Sequence, residues 1–145
     1  MTASSDRMAL IVRAGLCLLI IMSGLALRGF GFGLGLSAFV VKYGGSLLWA
    51  AMVFFLVAMA ASNASRPSIA LISATIAIGV ELFRLVHAPW LDAFRLTLPG
   101  ALLLGRIFSL WNMIAYGVGI IFSVGLDRLA VDTLAVRLSG HAGAR

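Results

Sequence analysis

Apolar residues fill long blocks of this chain, and polar residues gather between them. From Tyr43 to Ser65 no charged residue occurs, and LLWAAMVFFLVAMAA forms the heart of that run. Ile107 to Leu126 is a second uncharged stretch of 20 residues. Pro67 to Val80 is uncharged as well, and the segment reaches Val86 if Glu81 and Arg84 are tolerated. Met8 to Leu27 is apolar except for Arg13, which can snorkel to the headgroups from near the start of the segment. A hydrocarbon core of about 30 Å needs about 20 apolar residues in helical form. The pattern therefore predicts four transmembrane helices, roughly 8–27, 44–62, 68–86 and 108–126, packed as an all-α integral membrane four-helix bundle in one domain.

The connections read less sharply. Ser62-Asn63-Ala64-Ser65-Arg66-Pro67 is a tight polar turn, with Pro67 suited to the first turn of the third helix. Residues 87–107 read as a loop region. After Leu126, the positions Leu126, Leu129, Ala130, Thr133 and Leu134 share one helical face, which predicts a short interfacial helix over 127–139. The last six residues, GHAGAR, read as a frayed tail. The first segment could instead be a signal peptide with Arg7 and Arg13 as its basic start and Gly24-Leu25-Ala26 as its exit. Its length favours a span, because h-regions run about 7–15 residues.

Composition agrees with the pattern. Of 145 residues, 62% are hydrophobic and 11% charged, against about 45–50% and about 25% in soluble domains. A soluble domain this small lacks the interior to hide so much apolar surface. The net charge of +6, from 11 basic and 5 acidic residues, comes from side chains scattered singly. No basic patch forms, which argues against nucleic acid and for topology determinants and anionic-lipid contacts. Arg7, Arg13, Arg66, Arg128, Arg137 and Arg145 fall on one side of the membrane; Arg28, Lys42, Arg84, Arg95 and Arg106 fall on the other. That balance leans towards both termini in the cytoplasm. Cys17, the single cysteine, permits no intramolecular disulfide.

An up-and-down order of four helices gathers most of the polar residues at one end. Arg28, Lys42 and Ser46, Glu81 and Arg84, and Asn112 and Tyr116 meet there, joined by His87, Asp92, Arg95 and Arg106 from the loop. Glu81 and Arg84 are spaced for an ion pair on one face, above a stripe of Ala70, Ser73 and Ala77 that allows close helix contact. Two readings stay open for Glu81: a headgroup ligand or proton acceptor, and a structural clamp. Ala115, Gly119 and Ser123 form a small-residue ridge on the last span, with Asn112 and Tyr116 placed to hydrogen-bond across helices. Trp49, Trp90 and Trp111 fit an aromatic belt. Gly29 to Gly35 alternates glycine without a preceding strand, so it is no nucleotide loop. His87 and His141 lack a second ligand at zinc spacing, no cofactor motif occurs, and no nucleophile and base can be paired.

The runs Lys42-Tyr43-Gly44-Gly45-Ser46-Leu47-Leu48-Trp49-Ala50, Glu81-Leu82-Phe83-Arg84-Leu85 and Ala88-Pro89-Trp90-Leu91-Asp92-Ala93-Phe94-Arg95-Leu96-Thr97 carry a resemblance. With Gly100, Leu104-Gly105, Phe108 and Ala115-Tyr116-Gly117-Val118-Gly119, the chain resembles domain-of-unknown-function family 2809, a group of bacterial integral membrane proteins. That family's pattern is similar to K-Y-x-G-D-x-L-W-A, E-x-x-Q-L, P-W-L-x-x-x-R-x-T and D-x-x-A-Y-x-x-G. It also looks like VanZ-like proteins, which are linked to cell-envelope phenotypes. The resemblance runs from Arg28 to Leu126 and places Tyr43, Trp49, Glu81, Trp90, Arg95, Thr97, Tyr116 and Gly119 on matching positions. Ser46 stands where the family has Asp, Arg84 where it has Gln, and Asn112 where it has Asp. The three changes together add three positive units, which favours an anionic partner over a proton or cation. The resemblance implies the bacterial inner membrane.

These observations lead to one expectation. A polar, net-positive pocket near one leaflet, built from Arg28, Lys42, Tyr43, Ser46, Glu81, Arg84, Trp90, Arg95, Thr97, Asn112 and Tyr116, binds an anionic lipid or envelope-precursor headgroup, bridged above all by Arg84 and Arg95 with Lys42. The alternative is an accessory or assembly subunit of a larger membrane protein complex. An embedded hydrolase or transferase ranks third.

Overall fold

Side-chain caps and glycine turns divide the apolar blocks into helices. In a computed structural model, which describes residues 3–105 and 107–142 and side chains over 6–105 and 107–133, six helices follow one another. They are α1 (Ala3–Phe30), α2 (Ala38–Ala60), α3 (Arg66–Phe83), α4 (Pro89–Leu96), α5 (Leu98–Leu103) and α6 (Leu110–Ala142). The α1–α2 turn closes at Gly35, whose φ of 80° suits glycine. Ser37 then caps α2 by accepting from the Val40 N–H, and Ser65 caps α3 by accepting from the Ser68 N–H. Pro67 sits in the first turn of α3, as its position in the polar turn predicts.

Four of the helices, α1, α2, α3 and α6, are long and apolar enough to cross a membrane. They form an all-α membrane bundle. Their outer surface is largely apolar, with Leu71 69% and Ile121 74% exposed. Such a surface suits hydrocarbon, where every backbone group is already bonded within its helix. α2 packs against all three other spans, and α6 bridges α2 and α3. Ala50, Phe54, Phe55 and Ala58 of α2 are fully buried at the centre, with the two phenyl rings edge to face at 5.4 Å.

Small residues set the helix spacing. A Cβ at Gly119 would fall 2.3 Å from the Leu47 carbonyl oxygen, so α6 approaches α2 as closely as glycine permits. On the facing stripe of α3, Ser73, Ala77 and Glu81 are all buried. Both ridges expected from the sequence therefore face inward.

Several boundaries differ from expectation; α1 begins at Ala3 and runs to Phe30 rather than 8–27, and α2 begins at Ala38 rather than 44. α3 ends at Phe83 rather than near 86, because the Arg84, Leu85 and Val86 N–H groups turn back to carbonyls three residues earlier. The region 87–107 holds α4 and α5, whose first turns are both preset by proline. The expected separate interfacial helix over 127–139 is instead the continuation of the last span. α6 runs unbroken from Leu110 to Ala142 because Asp127 is drawn inward by arginines and gives the helix no reason to break. The Leu134 side chain assigned to that interfacial face lies outside the described residues.

Candidate functional site

At the Arg28 end, Glu81 organises the polar residues. It lies on the last full turn of α3 and is completely buried. One carboxylate oxygen accepts from the Ser109 backbone N–H at 2.7 Å and the Asn112 amide at 3.1 Å. The other accepts from the Tyr116 hydroxyl at 2.7 Å and pairs with Arg84 at 2.6 Å. A buried carboxylate without such partners would be costly; this one has four.

Arg84 is equally committed. Its Nε donates to the Leu104 carbonyl at 2.7 Å, Nη1 to the Ile107 carbonyl at 3.4 Å, and Nη2 to the Tyr116 hydroxyl at 3.1 Å. With the Glu81 contact, four of the five guanidinium N–H groups are occupied among the described residues. Gly105 makes this grip possible. Its φ is 67°, and a Cβ there would strike the Arg84 guanidinium at 2.6 Å.

Arg95 serves another purpose. From α4 it donates to the Phe83 carbonyl at 2.7 Å and the Val86 carbonyl at 2.8 Å, and it pairs with Asp92 at 3.2 Å. It thereby adds a charged donor to the carbonyls where α3 ends, where cations are favoured; Phe83 also accepts there from the Val86 N–H. Thr97 caps α5 by accepting from the Gly100 N–H at 3.2 Å. Trp90 is exposed, and Tyr43 packs its ring against Phe39 at 4.7 Å.

Beside this network lies a cleft of about 660 Å³. α1 forms one wall, α2 the floor, and α5 with the start of α6 the remainder. Its polar lining comes from Arg28, Lys42, Ser46, Arg84, Asn112 and Tyr116; the rest is apolar. Ser46 and Asn112 join at 3.1 Å, so the floor and the Glu81 network form one chain of hydrogen bonds. The cleft thus gathers six of the eleven residues singled out in the sequence. Glu81 stands behind the wall, and Tyr43, Trp90, Arg95 and Thr97 do not line it. Arg95, expected to bridge an anion with Arg84, is turned to the Phe83 and Val86 carbonyls and does not line the cleft.

No carboxylate lines the cleft among the described residues. Arg84 is matched by Glu81, and Arg95 by Asp92. Arg28 and Lys42 are exposed and meet no carboxylate among the described residues; the Lys42 ammonium rests 5.1 Å from the Tyr43 ring. Arg106, counted in the same cationic surplus from the sequence, lies outside the described residues.

A second polar cluster, not anticipated, closes the opposite end. Asp127 is fully buried on α6 and accepts from Arg13 Nε at 2.7 Å and from Arg66 Nε at 2.9 Å. Arg13, itself buried, also donates to the Ala58 carbonyl at 3.0 Å, and Arg66 reaches Asp132 at 2.6 Å. One carboxylate so ties α1, α3 and α6 together, and Arg13 adds α2. The signal was present: Asp127 continues the Ala115, Gly119, Ser123 ridge by one more step of four residues.

The family model described as a protein of unknown function, DUF2809, matches residues 35–120. The chain belongs to this family. The DUF2809 match spans α2 to the first third of α6, and so contains every residue of the Glu81 network and all the polar cleft residues except Arg28. Arg13 and Asp127 lie outside it. No solved structure matches the chain.

Proposed function

We propose that this DUF2809 protein is a membrane-embedded binding protein for an anionic amphiphile, an anionic lipid or an envelope-precursor headgroup, held in the cleft between α1 and α6. The observation that carries this reading is the charge of the cleft: Arg28 and Lys42 stand on a mostly apolar lining with no carboxylate among the described lining residues to balance them. A cation beside hydrocarbon is costly without an anion or water. Arginine's planar fork also suits a phosphate or carboxylate. Arg84 contributes its one uncommitted N–H, while Arg95 has a structural task instead. The arginine distribution supports an inner-membrane orientation with both termini cytoplasmic, which puts the cleft in the outer leaflet.

The test is native mass spectrometry of the protein purified in mild detergent, compared with the Arg28→Gln, Lys42→Gln double variant. The wild-type chain should retain an anionic amphiphile that the folded double variant loses. Equal retention by both overturns the reading. A stoichiometric protein partner with no bound amphiphile would make the chain an accessory subunit instead.

A further inference from the structure

The depth of the cleft defines its ligand further. On α1 the lining runs from Ile20 to Arg28, eight steps of the helix, or about 12 Å. On α2 it runs from Ala38 to Met52, and the part inward of Lys42, ten steps, covers about 15 Å. Half of a hydrocarbon core is about 15 Å. Below its unmatched cations the cleft is therefore one leaflet deep, which puts Arg28 and Lys42 at the headgroup level and Ile20 and Met52 near the bilayer centre.

It also ends there. Beyond Ile20, Cys17 is buried against the Met52 carbonyl at 4.0 Å, and one turn further Arg13, through its 2.7 Å bond to Asp127, draws α1 against α6. A ligand that spanned the bilayer would meet this closure. A soluble anion would fill the mouth and leave the apolar walls empty. The polar groups in between are also layered: Ser46 lies one helical turn below Lys42 and gives its proton to Asn112, Tyr116 gives its own to Glu81, and the donors left over at this level are the second Asn112 amide N–H and the remaining Arg84 N–H. Acceptor oxygens just below a phosphate are what the ester carbonyls of a glycerolipid offer.

Resting on the binding reading above, we infer that the occupant is an acidic glycerophospholipid of one leaflet, standing in its bilayer orientation with its phosphate at Arg28 and Lys42 and an acyl chain between α1 and α6. Two basic residues near a membrane surface confer roughly thirtyfold preference for an anionic lipid.

Trp49 lines the cleft floor and can report the chain directly. Trp90 and Trp111 are both exposed, so a Trp90→Phe, Trp111→Phe background leaves Trp49 as the only tryptophan. This protein is placed in phosphatidylcholine vesicles containing a rising fraction of phosphatidylglycerol brominated midway along one acyl chain. Trp49 fluorescence should be quenched saturably at low mole fraction, with brominated phosphatidylcholine roughly thirtyfold less effective. Gly45→Leu provides the control. Gly45 lines the cleft, and a Cβ there meets nothing within 4 Å, so the larger side chain fills the space without moving the backbone. It should remove the saturable component while the variant still folds.

Saturable quenching that survives Gly45→Leu, or that brominated phosphatidylcholine matches, overturns the inference. So does displacement of the bound anion by inorganic phosphate with Trp49 unquenched throughout; that result leaves the binding reading standing and removes only the lipid chain. Loss of charge dependence in the Arg28→Gln, Lys42→Gln variant is the expected result.

Discussion

Replacing Glu81 by glutamine tests whether the buried network is held by charge or by hydrogen-bond geometry. The substitution keeps the shape and one acceptor oxygen. If that oxygen stays towards Ser109 and Asn112, both keep their partner, and the new amide group faces Tyr116 and Arg84. Two contacts are then lost. Hydrogen bonds between membrane helices average about 0.6 kcal/mol, so geometry alone predicts a loss of about 1 kcal/mol. Removing one member of a buried ion pair costs about 3–5 kcal/mol, because the other charge remains in a poor solvent. Arg84 keeps Leu104, Ile107 and Tyr116 as acceptors, which places Glu81→Gln near the lower end, about 3 kcal/mol.

The assay is unfolding in mixed micelles of a mild detergent and dodecyl sulfate, on Glu81→Gln, Arg84→Gln and the double variant. The double variant contains no unpaired buried ion. It should be more stable than the sum of the single losses predicts, by about 1–3 kcal/mol, the range for directly interacting residues. A Glu81→Gln loss of about 1 kcal/mol or less, or strict additivity, refutes the charge argument. Glu81 would then be a geometric post whose ionisation matters little to the fold.

Further outcomes follow from the packing. Asp127→Asn should cost about 3–5 kcal/mol in the same assay, whereas Asp132→Asn, on a carboxylate 60% exposed, should cost less than about 1 kcal/mol. Gly119→Ala should lower stability by about 1–3 kcal/mol, since its methyl meets the Leu47 carbonyl and neither backbone can yield. Gly117→Ala, with open space beside it, should be neutral or stabilising by up to about 1 kcal/mol. Reporter fusions after Arg145 and at Gly100 should score on opposite sides of the membrane, with Arg145 inside; equal scores refute the four-span topology, and reversed scores refute the orientation alone.

The spans were readable because hydrocarbon imposes a length and a composition that few sequences meet by chance. The Glu81–Arg84 pair was readable for the same reason: a charged residue in such a segment requires a partner, and one stood three positions away. Arg95 was not, because it binds backbone carbonyls, and a carbonyl leaves no mark in the sequence. Its charge suggested a ligand when the ligand was the end of α3. The Arg13–Asp127 pair failed differently. The two lie 114 residues apart, each close enough to a segment end for snorkelling or surface exposure to explain it alone. Only the continuation of the α6 ridge to Asp127 shows that it must point inward. The short helices α4 and α5, eight and six residues, leave a period too brief to distinguish from a loop.

The two ends of the bundle are balanced differently, and the difference bears on where a ligand can enter. At the Asp127 end two arginines meet two carboxylates, and α1 is fastened to α6. At the other end Arg28 and Lys42 are unmatched, and α1 has no polar tie to α6 among the described residues. The cleft opens on that side, and α5 covers part of it. Yet α5 packs only on α4, so its position depends on the connector that follows it. Arg84 holds that connector through the Leu104 and Ile107 carbonyls and also lines the cleft. One guanidinium therefore lines the cleft, fixes its cover and neutralises Glu81. An anion that drew Arg84 towards the cleft would have to loosen both other contacts, so occupancy of the cleft and the position of α5 are physically coupled through this residue.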